Sequence, residues 1–176
     1  MAAATLFPSV LGAEFAALDP CLRSVHRGEP CRLKGSVTVE HGLSFIARAL
    51  GALASLPSAM TDAPIEVRIE VVGHAEKWTR LFGNGDRMTS RLQRDGDLLV
   101  EKLGPAALSF RLSACGGAMK WALERITLFG ISLPVHWFRI SARIDVRDGR
   151  YHFVVDSHLR RVGRIVHYEG LLDAAA

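Results

Sequence analysis

From Ile65 onward apolar and polar residues alternate, and turn-forming residues recur every eight to twelve positions. That is the period of half-buried strands joined by short turns. The alternation predicts strands near 65–72, 76–82, 86–93, 97–103, 107–114, 117–126, 136–146, 150–158 and 164–172. Arg32 to Glu40 alternates too, with Leu33, Val37 and Val39 on one face, and makes a tenth. Two stretches follow a helical period instead. Residues 5–18 align Leu6, Val10, Leu11, Phe15 and Leu18 on one stripe, and Pro20 ends that segment. In LSFIARALGALASL, residues 43–56, only Ser44, Arg48 and Ser55 are polar. A helix apolar nearly all round is normally buried on most sides. The expected fold is α+β and mostly antiparallel β. It is a full or partial β-barrel of about ten strands, since open edges aggregate. The 43–56 helix would be its plug, the N-terminal helix would pack outside, and residues 1–176 would form a single domain.

Turn chemistry assigns the faces. Asp148-Gly149 suits a two-residue hairpin loop, which pairs Arg147 with Arg150, Ile144 with Phe153 and Ala142 with Val155. The opposite face then pairs Asp145 with His152, Ser141 with Asp156 and Arg139 with His158. That His and Asp cluster is expected on a solvated outer face. Asp95-Gly96 as a second two-residue loop pairs Leu92 with Leu99, Ser90 with Glu101 and Met88 with Leu103, so Glu101 points inward. Gly83-Asn84-Gly85 fits a three-residue loop that groups Trp78, Arg80 and Phe82 with Met88, Ser90 and Leu92. A turn at Cys115-Gly116 sets Phe110 opposite Trp121 and Leu112 opposite Met119.

The resulting inner face is apolar and aromatic, with Trp78, Phe82, Phe110, Trp121, Phe138 and Phe153. Set into it are Arg80, Ser90, Glu101 and, by its parity with Phe138 and Ile140, His136. Arg80 and Glu101 are two strands apart, roughly 10 Å between backbones, with the small Ser90 between them. An unpaired ion in such a wall would cost several kcal/mol, so these side chains should meet. They form either a buried structural pair or the polar end of an apolar pocket. His136 is either an acid or base in that cavity or a hydrogen-bonded core histidine. The pattern leaves the last strand open: either Val166 and Tyr168 or His167 and Glu169 face inward.

Composition narrows the classes. The chain has 176 residues, of which 49% are apolar and 23% charged. A chain this long buries about 70% of its unfolded surface and can build its core without disulfides or metal. The net charge is +4, carried by 18 Arg and 4 Lys scattered among apolar residues. A nucleic-acid footprint would gather them on one stripe, so no nucleic-acid partner is expected. Contact with an anionic membrane surface is admitted. Cys21, Cys31 and Cys115 are an odd set without Cys-x-x-Cys spacing, which fits a reducing compartment and supplies no zinc ligand set. The N-terminal residues carry no basic signal-peptide region, and the apolar 43–56 stretch is too short to cross a bilayer, so the expected location is the cytoplasm. Nucleotide-loop, zinc-protease and nucleophile-elbow motifs are absent, and no cofactor is implied.

The order of segments resembles an uncharacterised bacterial family, domain of unknown function 4166. The residues that carry the resemblance are RLKGSVTVEHG at 32–42, EKWTRLFGNGDRMTSRL at 76–92 and LLVEKLGPAALSFRL at 98–112. It continues through residues 128–159 and through GRIVHYEGLLD at 163–173. Glu76-x-Trp78-x-Arg80-x-Phe82-Gly83 looks like the most distinctive motif. Tyr168-Glu169-Gly170-Leu171-Leu172 departs from the Tyr-Arg-Gly-Trp-Leu pattern of the family. The family often follows a saccharopine-dehydrogenase-like oxidoreductase domain. The resemblance therefore implies redox or lipid-related surroundings and brings no catalytic residues.

The leading expectation is binding of a small apolar or amphipathic, lipid-like molecule inside the barrel. Trp78, Arg80, Ser90, Glu101, Phe110, Trp121 and His136 are the candidate ligand contacts. One alternative is an isomerase, cyclase or hydrolase using the same cavity, with Glu101 or His136 as base. Another is a non-catalytic module that docks an oxidoreductase. A homodimer stays open if any strand edge is unpaired.

Overall fold

The computed structural model describes residues 5–53 and 56–174. Among the described residues eleven antiparallel strands form one sheet. They are β1 (Cys31–His41), β2 (Met60–Val72), β3 (Ala75–Phe82), β4 (Arg87–Asp95), β5 (Leu98–Leu103), β6 (Ala106–Cys115), β7 (Ala118–Leu128), β8 (Ile131–Leu133), β9 (Phe138–Arg147), β10 (Arg150–Leu159) and β11 (Gly163–Ala174). Ten of them form the barrel, closed by the pairing of β1 with β11 and of β6 with β7. The short β8 is an added strand on the outer half of β7. Closure leaves few free edges, which is how an all-antiparallel sheet escapes edge-to-edge association.

The turns set the register. Asp148 and Gly149 both hold positive φ, as a type I′ loop needs, and Arg147 pairs with Arg150 as expected. Phe82 and Asp86 flank the three-residue loop 83–85, which keeps Trp78, Arg80 and Phe82 inward. In two other hairpins the loop lies one residue later than the sequence expectation, which shifts the pairing by two residues. Gly96-Asp97 is the loop between β4 and β5, so Leu92 faces Glu101. Gly116-Gly117 is the loop between β6 and β7, so Leu112 faces Trp121 and Phe110 faces Leu123. Only Gly96 needs positive φ in the first loop, and both glycines hold it in the second. A slip of two residues preserves the face of every side chain, so the inner set is unchanged.

The helices trade places relative to the sequence expectation. The N-terminal segment, α1 (Leu6–Leu11), a 3₁₀ turn (Gly12–Ala17) and α2 (Pro20–Val25), closes one end of the barrel. Its Leu6, Phe7, Leu11, Leu18, Leu22 and Val25 are all buried in the barrel core. The backbone ties it there: Leu18 bridges Gly117, and the Asp19 N–H donates to the Gly117 carbonyl at 2.9 Å. The apolar helix α3 (Phe45–Leu53) lies instead at the other end, against β11. Leu43 before it is 97% exposed and Phe45 is 77% exposed, so this helix is not the plug. Leu56 lines the cavity wall. α3 is tethered at both sides, to β1 and to β2, and their paired ends meet at the rim.

Candidate functional site

Between the N-terminal plug and the opposite rim lies a cavity of about 180 Å³. Leu33, Val67, Met88, Phe110, Ile144 and Phe153 form much of its apolar wall. Its floor is an aromatic stack. Phe7 from the plug lies 6.1 Å from Trp78 and 6.0 Å from Trp121, and both indoles line the cavity. His26, also from the plug, stacks on Trp78 at 5.7 Å and shares a 3.2 Å hydrogen bond with the Tyr151 hydroxyl.

The charged groups of this wall, Arg80 and Glu101, come together across three neighbouring strands. Arg80 on β3 donates through Nη1 to Ser90 Oγ on β4 at 3.0 Å and through Nη2 to Glu101 Oε1 on β5 at 3.4 Å. Its guanidinium also sits over the Trp78 ring, 5.2 Å from the centroid. Arg80 and Glu101 line the cavity, while Ser90 is buried behind them. The Trp121 indole N–H, on the same cavity wall, is buried without a hydrogen-bond partner among the described residues. Tyr168 also lines the cavity. Its position settles the parity of β11: Val166, Tyr168 and Leu172 face inward, and His167 and Glu169 face outward. Burial raises the Tyr168 hydroxyl to about 12, against the lowering influence of Arg80.

Of the residues expected at the site, Trp78, Arg80, Glu101, Phe110 and Trp121 come together at the cavity, with Ser90 as support. His136 does not join them. Pro134 starts a 3₁₀ turn at Val135–Trp137, which breaks the strand parity before Phe138 and leaves His136 exposed. It is therefore not placed to act as acid or base in the cavity.

Two groups escaped the alternation pattern. Glu76, the first residue of the Glu-x-Trp-x-Arg motif, is buried on the inner parity of β3, and its carboxylate accepts from the Trp78 indole N–H at 2.8 Å. Burial raises its pKa to about 7, although the Trp78 hydrogen bond pulls the other way. His26 lies in a segment with no periodic signal, and burial lowers its pKa to about 3. Its neutral ring can therefore share a hydrogen bond with Tyr151 across ordinary pH.

The outer-face histidine cluster is packed more closely than a solvated surface. His152 is 1% exposed and sits between Asp145 Oδ1 at 2.6 Å and Glu169 Oε1 at 2.7 Å. Burial works against ionisation of Asp145, but hydrogen bonds from His152 and Arg143 outweigh it and lower its pKa. The ring is spanned by hydrogen bonds across β9, β10 and β11, which gives it a structural role on the barrel wall. Among the described residues no group of three His, Cys, Asp or Glu side chains is arranged to hold a metal ion.

The inward Glu76–Trp78–Arg80–Phe82 run lies within a long segment, residues 18–172, that a family model matches. The chain belongs to the family described as a domain of unknown function, DUF4166. The match covers residues 18–172, nearly the whole chain. No curated protein matches the sequence. In the DUF4166 barrel, the Tyr168–Leu172 departure leaves Gly170 in place. A Cβ there would stand 2.7 Å from the Phe153 ring and 2.7 Å from the Ser36 carbonyl oxygen.

Proposed function

We propose that this DUF4166 domain binds a small apolar or amphipathic, lipid-like molecule inside its barrel. The observation that carries the reading is a cavity of about 180 Å³ whose largely apolar wall holds a charged cluster, Arg80 with Glu101, backed by Ser90. Pockets of this make-up use a few polar groups to fix orientation and apolar wall to supply affinity. A cavity of roughly 150 Å³ lined by aliphatic and aromatic side chains accepts a benzene-sized molecule. The volume here suits a small ring or a short acyl segment, with any longer remainder passing out at the rim. The unpartnered Trp121 N–H supports the same reading, because a buried donor without an acceptor is costly and a ligand oxygen would satisfy it. The three free cysteines support a reducing, cytoplasmic setting.

The test is a native mass spectrum of freshly purified protein beside the organic extract of the same sample. An apolar adduct, lost in an Arg80→Met/Glu101→Leu variant, is the expected result. No adduct, and no uptake of added fatty acid or small aromatic alcohol by titration, would overturn it. If an adduct is chemically altered on incubation and Glu101→Gln abolishes only that change, the same cavity is catalytic. An empty cavity together with capture of an oxidoreductase would favour the docking module.

A further inference from the structure

We propose that the end of the barrel opposite the N-terminal plug docks onto an anionic lipid bilayer, with the hairpin tip at Phe129 inserted into it. This goes beyond ligand binding and does not rest on it. Five connections meet at that end: residues 42–59, 83–86, 104–105, 129–137 and 160–162. Backbone hydrogen bonds join three of them into one rim. The Arg160 N–H donates to the Trp137 carbonyl at 2.6 Å, and the Gly42 N–H donates to the Ile165 carbonyl at 3.2 Å. The rim therefore runs from the β7–β8 hairpin through Trp137 and Arg160 to Leu43 and Phe45.

Its apolar side chains are turned outward. Phe129 is 70% exposed, Ile131 68% and Trp137 49%, and they stand with Leu43 and Phe45 on the same end. Phe129, Ile131 and Trp137 belong to one connection, and apolar surface gathered and exposed in this way marks an interaction site. Phe129 carries a second sign. With Gly130 it forms a two-residue hairpin loop, and both residues hold positive φ, 50° and 78°. Asn or Gly takes that position without strain, whereas a bulky residue there pays in backbone energy. Folding alone has no use for a strained aromatic at an exposed tip.

Charge selects the partner. The rim connections contain one acid, Asp86, whose carboxylate accepts from the Ser58 backbone N–H at 2.7 Å and from the Asn84 amide at 2.8 Å. Arg139, Arg160 and Arg161 are exposed at the same end and form no ion pair among the described residues. Aromatic and aliphatic residues interleaved with arginine fit the interface of a bilayer bearing anionic headgroups. Beside this rim β7 and β9 diverge: β9 pairs with β7 only at Met119–Ala122, and β8 takes Ile126–Leu128. Leu128, Leu133 and Phe138 border the divergence and line the cavity, so the docked face is also where the interior meets the outside.

The experiment is flotation of the full chain with phosphatidylcholine vesicles, with and without phosphatidylglycerol, while Trp fluorescence is recorded. The expected result is flotation only with phosphatidylglycerol, with a blue shift that Trp137→Phe removes. Each basic residue near the surface contributes about 1 kcal/mol, so Arg160→Glu/Arg161→Glu should weaken binding more than about tenfold. Phe129→Asn should also lose flotation while keeping or raising the unfolding midpoint, which separates lost docking from misfolding. Failure to float with either vesicle, or flotation unchanged in both variants, would overturn the proposal. So would a dimer in sedimentation that shields Trp137 from quencher. A chain that floats but carries no adduct refutes only the cavity reading, and one that carries an adduct but never floats refutes only the docking.

Discussion

Arg80 and Glu101 meet across an intervening strand, with Nη2 3.4 Å from Oε1 and Ser90 filling the space between them. Their side chains are only 10% and 13% exposed, so each relies on the other. Removing one partner of a buried pair strands the other charge and costs roughly 3–5 kcal/mol. Arg80→Met should destabilise by that order in urea unfolding. Arg80→Met/Glu101→Leu should recover most of it, because replacing both ions by apolar groups is near neutral. A double variant as unstable as the single would show that the pair is not mutually dependent.

Glu76 and His26 give opposite pH signatures. The folded pKa of Glu76 is raised to about 7, so the folded state holds a proton that the unfolded chain releases. Stability from this group is therefore intact below about pH 4.5 and falls as pH rises towards 7. The difference corresponds to about 3 kcal/mol above pH 7. Glu76→Gln should match the wild type near pH 4 and exceed it near pH 8, as read by unfolding midpoints across that range. His26 is held neutral with its pKa lowered to about 3, so its contribution is present above about 6.5 and is lost as pH falls towards 3. The variant without the Glu76 carboxylate should expose this slope, with stability rising from pH 3 to pH 6.5.

Phe7 joins the plug to the cavity floor through Trp78, Trp121 and His26, the last at 4.2 Å between ring centroids. Phe7→Ala should cost roughly 3–5 kcal/mol, as truncations of buried aromatics do. It should also make the buried tryptophans accessible to acrylamide. Unchanged quenching with lowered stability would mean that the plug seats without Phe7.

Gly170 has no room for a methyl group between Phe153 and Ser36. Gly170→Ala should destabilise by about 1–3 kcal/mol, the range for overpacking, and the loss should show as a lower thermal midpoint. Phe153→Leu in the same background should restore part of it, since the ring is one of the two obstacles.

The order of strands, the closed antiparallel sheet and the inner face of the barrel were legible in the alternation of residues and in the turn glycines. The reason is physical: a side-chain period of two fixes which residues share a face, and the two-residue shift in pairing that follows from moving the loop at Gly96 or Gly116 by one residue leaves that face unchanged. Trp78, Arg80, Glu101, Phe110 and Trp121 could thus be grouped without coordinates. His136 could not, because the 3₁₀ turn after Pro134 resets the parity and leaves no mark in the apolar pattern.

Tertiary structure alone decided which helix fills the barrel. Hydrophobicity ranked the 43–56 stretch first, yet burial depends on where the flanking strands deliver a segment, and β1 and β2 deliver this one to the rim. The same holds for His152, whose outward direction follows from its parity while its burial follows from the neighbours on β9 and β11. Local period sets direction along a strand. What a side chain then meets is set by contacts distant in sequence, and those exist only once the barrel has closed.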